Sequence, residues 1–192
     1  MKFYFFYYLL VICVIIACGS ADNPELAIKA TATLRAVVQN NVGEFDVLQK
    51  DIGHAIFTQN KNIVTVNITL FGLPPNSTKS VHIHEGTLKL PAEHWNMKSL
   101  NLACDLSSLG KPWDKPYIGD IGNVPIGAAG TGELIVQTDL WSLNKTDTKN
   151  ILGKVVYVHQ QGEDFSMVCA MSGSHSHATN LKIGGGEIVL EK

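Results

Sequence analysis

A period-two alternation of apolar and polar residues constrains the fold of this chain more than any other feature. The apolar members of residues 63–70 alternate with polar ones, and they are Val64, Val66, Ile68 and Leu70. Because successive side chains on a strand point to opposite faces, this pattern predicts a strand with one face in a core and Asn67 on the solvent face. Further strands are predicted over residues 27–38, 53–58, 80–85, 132–138, 153–160 and 187–190.

Two long stretches, residues 86–130 and 162–186, separate the later strands and read as irregular. Irregular segments of this length in a compact domain are usually functional. Short strands joined by Gly- and Pro-rich turns predict an all-β, antiparallel sandwich or flattened barrel with two long loops. A chain of 192 residues with 45% hydrophobic content is long enough for one such domain and too short for two.

The N-terminus has the features of a secretory signal peptide. Lys2 precedes an apolar run over residues 3–18, which is followed by the small residues Gly19, Ser20 and Ala21. We therefore predict a signal peptide over residues 1–21 and a mature domain over residues 22–192. A retained membrane anchor is the alternative, but the run is shorter than the ~20 apolar residues that span a bilayer. A lipid-modified Cys18 is a further alternative, which requires a bacterial source.

The sequence of the mature chain favours the eukaryotic secretory route. Asn67, Asn76 and Asn144 each begin an Asn-x-Ser/Thr sequon and are candidate glycosylation sites. Cys104 and Cys169 are the two cysteines that follow the signal, so one disulfide is expected in an oxidising compartment, with two free buried thiols as the alternative. These features predict a secreted, extracellular protein that has no membrane association after signal cleavage.

The strongest chemical signal is the pair His82 and His84 on a predicted strand. Residues two apart on a strand share a face at roughly 6.5–7 Å, so both imidazoles can reach one metal ion while their neighbours enter the core. Two exposed polar residues on a solvated sheet face are the alternative. His94, in the loop after this strand, and His159, at the end of an apolar strand, raise the candidate ligands to four. Neutral imidazoles suit copper, zinc, iron or nickel.

The order of these motifs resembles the Cu/Zn superoxide dismutase family along nearly the whole mature chain. The blocks that carry the resemblance are residues 63–73, 81–85 (Val-His-Ile-His-Glu), 94–96 (His-Trp-Asn), 117–124 (Tyr-Ile-Gly-Asp-Ile-Gly-Asn-Val) and 155–159 (Val-Val-Tyr-Val-His). The resemblance implies the family's Greek-key, immunoglobulin-like β-sandwich. It also implies a copper cofactor with four ligands, which are His82, His84, His94 and His159.

The zinc site of the family is mostly lost. Of its three histidines and one aspartate, only His94 and Asp120 remain, because Tyr117 stands at one histidine position and residues 109–112 contain no imidazole. Structural zinc normally needs four protein ligands, so zinc binding is not expected and Asp120 marks a vestigial zinc position. His175 and His177 in the later loop are candidate substitutes, although a solvated Ser/His-rich loop is the simpler interpretation.

Two further departures concern the arginine and the disulfide. Family members place an arginine above the copper to guide superoxide, but the single arginine of this chain is Arg35, on the first predicted strand. Asn180 lies near the expected position, and Lys182 is the cation that we expect to supply charge there, without the planar fork of a guanidinium. The family's disulfide position is also vacated, and a Cys104–Cys169 bond would instead join the two long loops.

The resemblance implies that superoxide is the substrate and that it is converted to dioxygen and hydrogen peroxide. His94 is the expected mobile ligand, and Asp120 or Glu163 is expected to fix an imidazole tautomer. A non-catalytic extracellular copper-binding protein is the rival, because turnover can be lost with the arginine. A β-sandwich interaction module with incidental histidines is a third alternative. The net charge of −2, without a basic patch, argues against nucleic acid. A homodimer remains one alternative for the oligomeric state.

Overall fold

The computed structural model describes residues 27–96, 117–163 and 181–191. The predicted signal peptide, both cysteines of the mature chain and the histidines at 175 and 177 lie outside these residues. The described chain forms ten β-strands: β1 Ile28–Gln39, β2 Phe45–Asn60, β3 Ile63–Leu70, β4 Ser77–Gly86, β5 Pro91–His94, β6 Asp120–Ile126, β7 Gly132–Thr138, β8 Val155–His159, β9 Lys182–Glu187 and β10 Val189–Leu190. No helix occurs in this part of the chain, which confirms the all-β prediction.

All the strand pairs are antiparallel and form one strongly curled sheet with the order β5-β4-β8-β9-β1-β2-β3-β7. Off this path, β6 pairs with β4 and β10 pairs with β1. Neighbours such as β4 and β8, or β3 and β7, are distant in sequence, as in a Greek-key arrangement. The pairing between β1 and β9 in the middle of this path is short, because these strands share only the pairs Arg35↔Gly185 and Ala36↔Gly184.

The alternation in β3 has the predicted consequence. Val64, Val66, Ile68 and Leu70 are fully buried, whereas Asn67 is exposed. The inner faces of the curled sheet enclose the core, where Phe57 meets the edge of Trp141 at 6.3 Å between ring centroids. The indole N–H of Trp141 donates to the carbonyl of Ile118 at 2.9 Å. The core therefore fixes the segment that leads into β6.

Several predicted boundaries were wrong. The stretch over residues 86–130, predicted to be irregular, contains β5 and β6, and the stretch over residues 162–186 ends in β9. Strand β2 begins at Phe45 rather than at residue 53, because its first half pairs with the end of β1. This half shows no alternation of burial, so no period-two pattern marks it in the sequence. His94, predicted in a loop, lies on β5 and pairs with His84.

Strand β9 was missed because it contains three consecutive glycines, at residues 184–186. A Cβ at Gly185 would lie 2.8 Å from Leu88 Cδ1 and 2.9 Å from the carbonyl oxygen of Val156, so glycine is needed for close packing.

Within the three described ranges, no helical segment has the length and apolar character of a membrane span.

Candidate metal centre

Four buried histidines meet at one point beside β4. His82 and His84 lie on β4, His94 ends β5, and His159 ends β8. One ring nitrogen from each lies within 4.8 Å of those of the other three, and no residue of the four is more than 7% exposed. Metal–imidazole bonds are about 2.0–2.1 Å, so two nitrogens on one ion are at most about 4.2 Å apart. The nitrogens therefore lie within about 0.6 Å of the separations that a shared ion requires.

The alternation of β4 explains how two of these rings arrive together. Val81 and Ile83 are fully buried in the core, so His82 and His84 point to the opposite face. On that face β5 places His94 directly opposite His84, and the two ring centroids are 4.5 Å apart. The structure thus brings together all four histidines that the sequence singled out.

Hydrogen bonds at the outer nitrogens fix two of the tautomers. His84 Nδ1 lies 2.8 Å from the carbonyl oxygen of Ala92, and His94 Nδ1 lies 2.7 Å from Asp120 Oδ1. Both partners are acceptors, so each Nδ1 carries the proton and donates it. The unprotonated Nε2 of each ring is then directed to the centre of the cluster.

His82 is oriented in the opposite sense. Its Nε2 lies 2.6 Å from Glu163 Oε2 in an ion-pair contact, while its Nδ1 faces the other histidines. His82 Nδ1 is 3.2 Å from His159 Nε2, which is in turn 3.4 Å from His84 Nε2. Ring nitrogens that converge at these distances in a buried cluster form a candidate site for a cation.

Strand β6 and the residues beside it position both carboxylates. Asp120 is fully buried, and its Oδ2 accepts the backbone N–H of Tyr117 at 2.9 Å. The Asn123 amide donates to the Glu163 carbonyl at 2.7 Å and accepts the Glu163 backbone N–H at 2.9 Å. The sequence suggested Asp120 and Glu163 as acceptors, but it did not indicate the role of Asn123.

Gly119 connects β4 with the residue that follows β5. Its carbonyl accepts the N–H of Ile83 at 2.7 Å, and its own N–H donates to the carbonyl of Trp95 at 2.8 Å. A Cβ here would lie 2.5 Å from the carbonyl oxygen of Ile83. The spacing between His84 and His94 therefore depends on a residue that has no side chain.

Burial sets the protonation of the site. Desolvation, followed by the nearby charge of His94, lowers the pKa of His84 well below its usual value. The neutral imidazole is the form that binds a metal ion. Tyr117, whose ring centroid lies 5.5 Å from that of His94, has its pKa raised by burial and then by Asp120, so its phenol stays protonated.

Tyr157 and Lys182 form one wall of the site. The sequence analysis assigned a role to Lys182 but none to Tyr157. The Tyr157 ring lies 5.2 Å from that of His84, and its hydroxyl donates to the carbonyl of Leu88 at 2.7 Å. The ammonium of Lys182 lies 5.6 Å from the Tyr157 ring centroid, and Lys182 pairs with His159 across β8 and β9. The position of Tyr157, two residues before His159, was the available signal, because such residues share a strand face.

The remaining predicted residues lie away from the cluster or outside the described chain. Arg35 is exposed and pairs with Asp51 at 3.5 Å. Asn67, Asn76 and Asn144 are all exposed. Cys104, Cys169, His175, His177 and Asn180 are outside the described residues.

An antiparallel, curled β-sandwich with a buried four-histidine cluster defines a metal-binding β-protein. Residues 52–184 match the family described as copper/zinc superoxide dismutase (SODC). The chain is 28% identical over 127 residues to a Cu-Zn superoxide dismutase of Yarrowia lipolytica, in an alignment that covers 63% of this chain and 72% of that protein. The chain belongs to the copper/zinc superoxide dismutase family.

Solved structures share the fold at lower sequence identity. A superoxide dismutase-like protein from Bacillus subtilis superposes with a TM-score of 0.57 and 20% identity, covering 82% of this chain and 96% of that chain. The clock protein EA4 gives a TM-score of 0.57 with 20% identity, covering 85% of this chain and 94% of that chain. At these identities the likeness concerns the fold.

Proposed function

We propose that this protein is a secreted, copper-dependent superoxide dismutase whose site binds copper and no zinc. The observation that carries the proposal is the convergence of four imidazoles, two of which have tautomers set by hydrogen bonds to Ala92 and Asp120. A site made only of imidazole nitrogens binds copper more strongly than the other first-row divalent ions. Secretion rests on the character of residues 1–21.

The described residues around His94 do not fit a second metal. In the family, the histidine at this position also serves zinc, but here its Nδ1 donates to Asp120 at 2.7 Å. The neighbouring Tyr117 stays a neutral phenol, because its pKa is raised. Elemental analysis of the purified protein should give about one copper and no zinc per chain. A zinc content near one per chain contradicts the copper-only proposal.

Copper supplies reversible one-electron transfer when it is bound, and the protein residues supply ligands and protons. His82, His84, His94 and His159 would hold the ion through the nitrogens that face the centre. His94 Nε2 can hold a proton whenever it is not a ligand, because Asp120 beside Nδ1 stabilises the resulting imidazolium. That proton can be given to the departing peroxide.

Lys182 is proposed to attract superoxide in place of the absent arginine. It is half-buried beside His159 and Tyr157, where burial lowers its pKa. Lys182→Gln should reduce kcat/KM and flatten its dependence on ionic strength, whereas Lys182→Arg should retain both. Lys29→Gln, on the exposed start of β1, is the matched control. Equal effects of the 182 and 29 substitutions contradict a guiding role for Lys182.

The rival function is copper binding without turnover, and it is favoured by the place of Arg35 in a surface ion pair with Asp51. Copper-loaded protein should turn over superoxide faster than free aqueous copper if it is an enzyme. Stoichiometric binding with no such excess supports the rival. His159→Ala should abolish high-affinity copper binding, and unchanged binding refutes the proposed ligand set.

A Cys104–Cys169 disulfide is proposed as well, and peptide mapping without reduction tests it.

A further inference from the structure

The outer face of the curled sheet carries a row of exposed or half-buried residues across five strands. Strand register aligns Val189 with Thr31, Thr31 with Ile56, Ile56 with Asn67, and Asn67 with Ile135. The apolar members are well exposed, at 49% for Val189, 38% for Ile56 and 63% for Ile135. Directly paired residues on neighbouring strands point to the same face. Apolar Val189, Ile56 and Ile135 therefore alternate in this row with polar Thr31 and Asn67, and Asn67 lies between the two isoleucines.

The rows on both sides of this row are polar. They contain, on one side, Thr58, Thr65 and Gln137 and, on the other, His54, Thr69 and Glu133. Gln137 Nε2 donates to Thr65 Oγ1 at 3.1 Å, which extends the polar character to β7. Ile56 and Ile135 are therefore the apolar residues that directly flank Asn67, with polar rows on both sides of them. Ile135 also lies on β7, the last strand of the hydrogen-bonded path, where an apolar side chain favours strand-to-strand association.

Asn67 occupies the position from which both isoleucines can be covered. Directly opposed residues have Cβ atoms about 4.5–5.5 Å apart, so Asn67 lies within one side-chain length of Ile56 and of Ile135. Asn67, Ile68 and Thr69 form a glycosylation sequon, with Ile68 buried in the core. A sugar attached to the amide of Asn67 would begin between the two exposed isoleucines.

We propose that Asn67 carries an N-linked glycan whose first sugars cover Ile56 and Ile135 and so prevent association through β7. The inference rests on the proposed secretion, since N-glycans are added in the secretory route. A glycan is bulky and solubilising, and apolar surface covered by it is removed from contact with other chains.

The other two sequons lie in different surroundings and provide controls. Asn144 lies in a turn, where its Oδ1 accepts two hydrogen bonds from Thr146. The backbone N–H of Thr146 donates at 3.1 Å and the hydroxyl of Thr146 at 3.0 Å. Asn76 lies in a turn with a φ of 55°. Neither of them is a strand partner of an exposed isoleucine.

The first test is glycan mapping of the full chain secreted from eukaryotic cells. Peptide mass spectrometry after enzymatic removal of N-glycans should mark Asn67. Absence of a glycan at Asn67 in the secreted chain refutes this inference, whereas retention of the whole chain inside the cells refutes the proposed secretion. Occupancy of Asn76 or Asn144 without Asn67 refutes this inference alone and leaves the secretion proposal standing.

The second test separates the covering role from occupancy. Asn67→Gln and Thr69→Ala both remove the sequon, and each should self-associate at a concentration about tenfold lower than wild type or Thr69→Ser, measured by sedimentation. Asn144→Gln should behave as wild type. Adding Ile56→Thr and Ile135→Thr to Asn67→Gln should restore the association behaviour of wild type. Unchanged association of both sequon-free variants, or association that survives the isoleucine changes, overturns the covering role.

Discussion

Replacing Asp120 by Asn tests the support of the metal centre at a single carboxylate. The two oxygens of Asp120 accept from His94 Nδ1 at 2.7 Å and from the Tyr117 N–H at 2.9 Å, and the residue is fully buried. An amide of the same shape has only one oxygen. In Asp120→Asn, one of the two donors must therefore face an NH₂ group instead of an acceptor.

The magnitude follows from that geometry. A buried donor that loses its acceptor costs about 1–3 kcal/mol. For a domain of this size each kcal/mol lowers Tm by about 2–4 °C, so the metal-free variant should melt about 2–12 °C below wild type. Loss of the acceptor that orients a ligating histidine typically weakens metal binding 10- to 100-fold, which we expect for copper here.

Calorimetry of the metal-free protein and competition with a chelator for copper measure these two effects. Asp51→Asn is the matched control. The side chain of Asp51 is 56% exposed, and in the described part of the chain its ion pair is with Arg35 at the surface. It should change stability by less than about 0.5 kcal/mol. If Asp120→Asn matched this control in both Tm and copper affinity, the proposed role of Asp120 would be wrong.

Three further outcomes are expected. Phe57→Ala removes a fully buried ring beside Trp141 and should cost about 3–5 kcal/mol in urea unfolding, and a loss below about 1 kcal/mol contradicts the described packing. Gly119→Ala places a Cβ 2.8 Å from the carbonyl oxygen of Trp95, which should separate β4 from β5. Copper binding should weaken about tenfold or more, and an unchanged copper affinity would contradict this role of Gly119. Burial lowers the pKa of Lys79, so the folded state binds fewer protons than the unfolded state as pH approaches about 10.4. The unfolding free energy of wild type relative to Lys79→Met should therefore rise with pH in that range, and a fall refutes the assignment.

Sequence reasoning succeeded where burial follows a simple period. Strand β3 was predicted at its observed bounds, because its alternating residues have one face in the core. The same period placed His82 and His84 on one face of β4, and the structure has them there. Register between β4 and β8 then brings His159 to the same place, which the family resemblance implied and local pattern could not derive.

Other parts depended on contacts that no local pattern reports. The glycines of β9 pack closely against Leu88 and neighbouring backbone, so the strand has no apolar alternation to detect. The first half of β2 is held by its pairing to β1 rather than by a buried face. The hydrogen bond from His84 to Ala92 required the register of β4 against β5, which was not predicted because β5 itself was missed.

The distribution of the four histidines makes thermal stability a measure of metal supply. His82 and His159 are 77 residues apart, so the unfolded chain offers these four imidazoles as a scattered set with one close pair. An ion that needs all of them binds the closed barrel far more tightly than the open chain. Free ion at a hundred times its Kd would add about 2.7 kcal/mol to the free energy of unfolding, so the melting temperature of the protein should follow the copper available around it.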